Sequence, residues 1–400
     1  MTVAPALMLD ERRALPEDRS RAALIGRAWV PGPLAGPSPV LIADGKAFDL
    51  TQVVATSAEL VNSDSPAALA RGAVKSGRAT PIGIVADMLA NSVADRRDPS
   101  RPYFLTPVDL QAIRACGVTF IASMLERVIE EQAKGDPAGA DAIRKSLGEE
   151  IGGELRAIKP GSPGAMRLKD SLIKRDMWSQ YLEVGIGPDA EVFNKAQPMS
   201  AVGTGAEIGV LSTSSWNNPE PELVLAINHA GKVVGATLGN DVNLRDYEGR
   251  SALLLGRAKD NNASCALGPF IRLLDEHYTI DDLRRTRIEV EVSGSDGFHV
   301  EGNYSVSQIS RDPLDLAGQA LNRNHQYPDG LVLFLGTAFA PTQDRGEPGR
   351  GFTHKLGDVV TVRSPTIGAL SNRINHCDRI APWTFGVTEL MRNLSERGLI

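Results

Sequence analysis

The chain has 400 residues, 42% hydrophobic and 23% charged, which is the composition of an ordinary globular protein with room for a large core. Its formal charge of −6 is spread without a basic block, which argues against a nucleic-acid partner; the sequence has no apolar run of membrane-spanning length and no signal pattern, so a cytoplasmic protein is expected. Three distant cysteines, Cys116, Cys265 and Cys377, fit neither a disulfide framework nor a zinc cluster and are expected to be small buried hydrophobes.

Residues 1–18 are charged and short of large apolar groups, and are expected to form a flexible tail. A small β-rich N-terminal domain is expected over 19–104, with strands in Ala22–Val30 and Pro39–Thr51, the latter turning at Asp44-Gly45. Ala67–Ser76 and Ile84–Ala94 read as modest helices or irregular structure. Residues 105–400 form the expected larger domain. It opens with an amphipathic helix over Val118–Lys134, on which Ser123, Glu126 and Glu130 share a polar face. Two further helices, Ala140–Glu150 and Met166–Lys174, make 130–177 a helical excursion, expected as a lid or a surface insertion. Beyond Trp178 the text turns to β, with strands at Tyr181–Gly185, Ala206–Val210, Arg287–Val292, His299–Tyr304, Gly330–Leu335, Val359–Arg363 and Gly368–Ile374. Helices are few here: Ala252–Ala258, Leu314–Asn322 and Val387–Arg397. The fold class is α+β, mostly β, in antiparallel and mixed sheets with short helices.

One stretch, Trp216–Asp246, concentrates the chemistry. Glu220 and Glu222 are two apart, each behind a proline that favours extended backbone, so both side chains fall on one face. Two apolar runs, Leu223–Asn228 and Val233–Leu238, flank the turn His229–Lys232. A hairpin centred between Ala230 and Gly231 sets Asp241 opposite Glu220 on that same face. Three carboxylates together repel unless a cation compensates them, and oxygen-only ligands favour Mg²⁺, Mn²⁺ or Ca²⁺. A solvated hairpin end with scattered acids is the other reading of the same residues, and a one-residue error at the turn would send Asp241 to the opposite face.

A series of motifs in fixed order carries a family resemblance: Glu220-Pro221-Glu222, NDVNLRD at 240–246, AKDNNASCALGP at 258–269, LFLGT at 333–337 and LGDVV at 356–360. With these the chain resembles the fumarylacetoacetate hydrolase superfamily from about Thr106 onward. The resemblance implies a β-roll fold, a homodimer or homotetramer, and Mg²⁺ or Mn²⁺ held by Glu220, Glu222 and Asp241. Hydrolases of the superfamily carry a water-activating histidine where this chain has Ser123, three residues before the retained Glu126. No histidine precedes His229, and a hydroxyl without a base is a poor water activator, so hydrolysis is disfavoured.

Within the superfamily the fuller similarity is to dehydratases of 2-keto-3-deoxy sugar acids, through stretches such as WNNPEPE, GNDVNLRDYEGRSALLL, HQYPDG and GFTHKLGD. It implies dehydration of a 2-keto-3-deoxy-pentonate, best 2-keto-3-deoxy-D-xylonate, to 2-oxoglutarate semialdehyde. In that reading Glu126 is the acid/base beside Ser123, and Lys259 supports the enolate. Glu248 and the Gly336-Thr337 loop bind the small 2-keto acid, and Arg245 binds it or braces the carboxylates. An acylpyruvate or diketo-acid hydrolase, and a non-catalytic metal-dependent binding protein, are the alternatives.

Overall fold

The structure is a computed structural model that describes residues 5–400 apart from 135, 138–139, 141–142, 144–157, 175 and 347. The strands in chain order are β1 (Leu24–Val30), β2 (Gly36–Ala43), β3 (Lys46–Asp49), β4 (Thr80–Ile84), β5 (Tyr103–Phe104), β6 (Ala112–Gly117) and β7 (Glu191–Ala196). They continue with β8 (Glu207–Val210), β9 (Asn217–Asn218), β10 (Pro221–Ile227), β11 (Val233–Asp241), β12 (Asn243–Leu244) and β13 (Cys265–Leu273). The last are β14 (Arg287–Ser293), β15 (His299–Ser305), β16 (Leu331–Phe334), β17 (Val359–Ser364) and β18 (Gly368–His376).

Among the described residues, eleven strands form one sheet in the order β4-β3-β2-β1-β13-β11-β10-β16-β6-β7, with β5 beside β1. A five-stranded sheet, β15-β14-β17-β18-β8, packs against one face of it. Leu223, Leu225 and Ile227 of β10 enter the core between the sheets with Val290, Val292 and Val360. On the other face Val224 and Ala226 meet Leu60, Val61 and Ala70 from the N-terminal helices. With both faces covered, β10 and β11 are buried at every position, which explains the apolar runs 223–227 and 233–236. The architecture is the expected α+β fold, mostly β with short helices. No helix among the described residues is long and apolar enough to cross a membrane.

Several elements differ from the sequence expectation. Tyr181–Gly185 is not a strand but the core of a helix, Gln180–Ile186, started by Ser179, whose side chain accepts from the Tyr181 N–H. Among the strands that went unread are β4, β6, β7 and β13, and β13 is central: it joins β1 to β11 and is buried throughout. The β1–β13 pairing makes the N-terminal strands a continuation of the same sheet that carries the hairpin. The expected helix Ala140–Glu150 lies largely outside the described residues, as does the middle of the 130–177 excursion. The helix Pro163–Lys174 is in place, burying Ala165, Leu168 and Leu172 in the cluster that holds Met124 and Val128.

The expected flexible tail is fastened at its end. Asp18 grips the buried Arg272 of β13 with two oxygens, at 2.7 and 2.6 Å, and Ala14 and Leu15 are buried. Asp18→Ala should therefore lower the unfolding free energy by about 1–3 kcal/mol, because it strands a buried guanidinium. Urea denaturation measures this, with Glu17→Ala, whose 3.7 Å contact to Arg363 is exposed, as a control expected within about 0.5 kcal/mol.

Candidate active site

The β10–β11 hairpin delivers the acidic cluster. Pro221 faces Asn240 and Glu222 faces Gly239, and the same register continues past Pro219 as Asn218 opposite Asn243 in the β9–β12 pair. The Asp241 N–H donates to the Glu220 carbonyl at 3.0 Å, so the expected opposition is present. The turn itself differs: the chain reverses over Asn228–Lys232, and a bulge at Ala226/Ile227 restores the register. Glu220, Glu222 and Asp241 are all buried, and one ligand oxygen from each lies within 4.8 Å of the others. Buried, converging and oxygen-only, these residues fit a hard divalent cation.

Cations of the protein crowd the cluster. Lys259 Nζ lies 2.9 Å from Glu220, 3.1 Å from Asp241 and 3.2 Å from Glu248. Lys195, fully buried on β7, lies 3.0 Å from Asp241 Oδ1. Arg127 reaches Glu220 and Glu130 at 2.8 Å each and also pairs with Glu248. Burial opposes ionisation of Asp241, but the two lysines outweigh it and hold its carboxyl below the usual range. Burial also opposes the charge of Lys259, and Asp241, Glu220 and Glu248 overcome it, so its ammonium is strongly retained. Glu222 goes the other way. Burial, Asp241 and Glu220 push its carboxyl well above the ordinary value.

The cavity beside this cluster is closed by two strand ends and a helix. β6 and β16 run parallel, so their C-terminal ends lie side by side and contribute Gly117, Val118, Gly336 and Thr337 to the lining. The chain then turns from β6 into the helix Ile121–Gln132, which presents Ser123 and Arg127. From β7 come Glu191 and Phe193, and Tyr181 and Glu248 complete the polar lining. Glu191 was not foreseen. Burial, only partly offset by Arg127, pushes its carboxyl up to about 7, so it exchanges a proton near neutral pH.

Residues 182–375 match the family described as fumarylacetoacetate (FAA) hydrolase C-terminal. That stretch of the chain resembles this family. Its two glutamates and aspartate, and Lys259, all fall within the matched residues. The 2-dehydro-3-deoxy-D-arabinonate dehydratase of Saccharolobus solfataricus is 34% identical over 183 residues, 45% of this chain and 57% of that protein. A probable 2-keto-3-deoxyxylonate dehydratase of Haloferax volcanii is 30% identical over 198 residues, 50% of this chain and 64% of that protein. The chain thus spans under two thirds of the length of either relative. A solved 2-keto-3-deoxy-D-arabinonate dehydratase in its apo form shares the fold, with a TM-score of 0.60 at 20% identity over 88% of this chain and 99% of that one. The same enzyme complexed with magnesium and 2,5-dioxopentanoate gives 0.59 at 19% identity, covering 88% of this chain and 99% of that one.

The remaining expected site residues divide. Ser123, Glu248, Lys259 and Thr337 line the cavity. Ser123 donates to the Phe120 carbonyl at 2.9 Å, and Thr337 Oγ1 accepts from the Phe339 N–H at 3.1 Å. Glu126 is half-buried and is not in the cavity lining; on the helix it is about 100° from Arg127, the residue that does point in. Arg245 is buried behind the site, held 3.2 Å from Glu130 and 2.8 Å from Asn218, so it braces rather than faces a substrate. Gly336 departs from the expected substrate contact. Its N–H donates to Glu222 Oε2 at 2.6 Å, and its φ of 86° with Thr119 Oγ1 only 2.2 Å from a would-be Cβ requires glycine.

Proposed function

We propose that the chain is a divalent-cation-dependent hydro-lyase that dehydrates a 2-keto-3-deoxy-pentonate to 2,5-dioxopentanoate, with Mg²⁺ as its cation and Mn²⁺ able to substitute. One observation carries the reading. A buried oxygen-only triad and a carboxyl poised near pH 7, Glu191, border the same cavity. The names of the two curated relatives support the substrate class. Those names converge chemically. Oxidation at C2 and loss of the C3 hydroxyl leave C4 as the sole stereocentre, so D-xylonate and D-arabinonate yield one and the same keto acid. The stereochemical choice is therefore D against L at C4, and the proposed substrate is the D form.

A divalent cation held by Glu220, Glu222 and Asp241 supplies Lewis-acid stabilisation of negative charge on the keto oxygen. Lys259 adds a fixed positive charge beside it. Glu191, ionised, takes the C3 proton and delivers a proton to the C4 hydroxyl, which departs as water and leaves a C3=C4 double bond. Two proton relocations, from C5 to C3 and from the C5 hydroxyl to C4, then give the aldehyde. Glu191 takes over here the role that the sequence resemblance implied for Glu126, because Glu191 borders the cavity. Arg127 and Glu248 remain as polar walls for the substrate hydroxyls.

Purified protein with Mg²⁺ and the D keto acid should yield 2,5-dioxopentanoate, read by a coupled aldehyde dehydrogenase, with the L form turned over at least tenfold more slowly. Pyruvate with glycolaldehyde, or no product with either stereoisomer, would sink the proposal.

A further inference from the structure

Lys195 belongs to the charge network around the triad but does not line the cavity. It sits on β7 two residues beyond Phe193 and four beyond Glu191, at the bulge where β7 slips against β6. Its side chain is 0% exposed, and its Nζ has two contacts: Asp241 Oδ1 at 3.0 Å and the Lys259 carbonyl at 2.9 Å. Lys259 Nζ approaches the same Asp241 oxygen at 3.1 Å. Oδ1 is thus claimed by two ammonium groups, one of them locked in the protein interior. A fully buried ammonium is costly unless paired, and here its pairing spans a cation ligand and the backbone of the neighbouring lysine.

We infer that Lys195 is a positioning residue: it clamps Asp241 Oδ1 so that Oδ2 is the oxygen offered to the cation, and it fixes the end of the helix that carries Lys259. The inference rests on the cation site of the preceding reading but not on its substrate. Two roles for Lys195 differ in sign. If it were only a counter-charge, its removal would relieve repulsion between two cations and tighten metal binding. As a positioning residue, its removal frees the Asp241 carboxylate to rotate, and binding weakens.

The experiment uses Mn²⁺ alone, with free metal counted by electron paramagnetic resonance, on the full chain and on Lys195→Met and Lys195→Gln. Both variants are expected to bind Mn²⁺ at least tenfold more weakly at unchanged circular dichroism, with Gln, which keeps an N–H donor, the milder. Unchanged or tighter binding by a folded variant overturns the role of Lys195, while a wild type that binds no Mn²⁺ overturns the cation site itself. A crystal structure of the wild type soaked with Mn²⁺ decides the matter without any variant. Coordination through Asp241 Oδ2, with Lys195 still on Oδ1, is expected, and coordination through Oδ1 would overturn the inference.

Discussion

Glu222→Gln should weaken Mg²⁺ binding by about 100-fold or more and abolish activity at ordinary Mg²⁺ concentrations, while leaving the metal-free fold as stable as the wild type or more so. The surroundings of Glu222 account for the undiminished stability. Unlike Glu220 and Asp241, it has no lysine or arginine partner within ion-pair distance among the described residues; it accepts from the Gly336 N–H. Burial and two neighbouring carboxylates already push its carboxyl toward the neutral form, so a neutral amide of the same shape removes repulsion rather than attraction. The amide oxygen can still accept from Gly336. A cation, by contrast, needs the anionic oxygen, and even residues that only orient ligands are worth about 10–100-fold in affinity. Titration calorimetry with Mg²⁺ and a melting curve in chelator separate the two effects. A variant that keeps wild-type affinity would remove Glu222 from the ligand set.

Glu191→Gln is the second large effect. Removing a positioned proton carrier is expected to lower kcat by about 10²–10⁴-fold with little change in KM. The wild type should show a limb in its pH–rate profile that the variant lacks. Glu191 takes the C3 proton only when ionised; its carboxyl is pushed up to about 7 without metal and a bound cation pulls it lower, so wild-type activity should fall tenfold per pH unit below a limb at or beneath that value. Stability runs in the opposite direction. A carboxyl raised in the folded state favours folding while protonated, and that contribution is complete below its unfolded pKa and lost as pH rises through about 7. Without added metal, Glu191→Gln should therefore melt higher than the wild type at pH 8 and close to it at pH 5. An acid limb that survives the substitution would assign the proton to another group.

The cation triad was legible in the sequence because it depends on one local quantity, the hairpin register, and the i, i+2 glutamates advertise a face. Lys259 was legible only through the family motif, since nothing local says that a lysine ending a short helix is buried among three carboxylates. Glu191 and Lys195 were missed for a different reason. The segment EVFNK was not read as a strand, although Glu191 and Phe193 border the cavity and Lys195 reaches Asp241. Arg127 was overlooked because the helix was read by its carboxylates. Ser123, Arg127 and Glu130 recur at the four- and three-residue spacing of one face, and that face leaves Glu126 to the side. The strand expected at Tyr181–Gly185 failed on composition: tyrosine and valine favour strands, but Ser179 supplies a helix cap. Long-range pairing, such as β13 against β1, leaves no mark on either segment alone.

The bulge at Ala226/Ile227 gives the hairpin two separable ends. Every pair from Ala226–Gly235 down to Asn217–Leu244 keeps a single alignment, while the slip introduced at the tip is cancelled within one residue of it. A change of one residue in tip length can be traded against the bulge without inverting the pleat at the ligands. The Asn228–Lys232 tip is consequently a tolerant joint, where length polymorphism among natural variants, or a grafted epitope, should leave the carboxylate end undisturbed. The same insertion placed on the carboxylate side of the bulge would turn Asp241 out of the site.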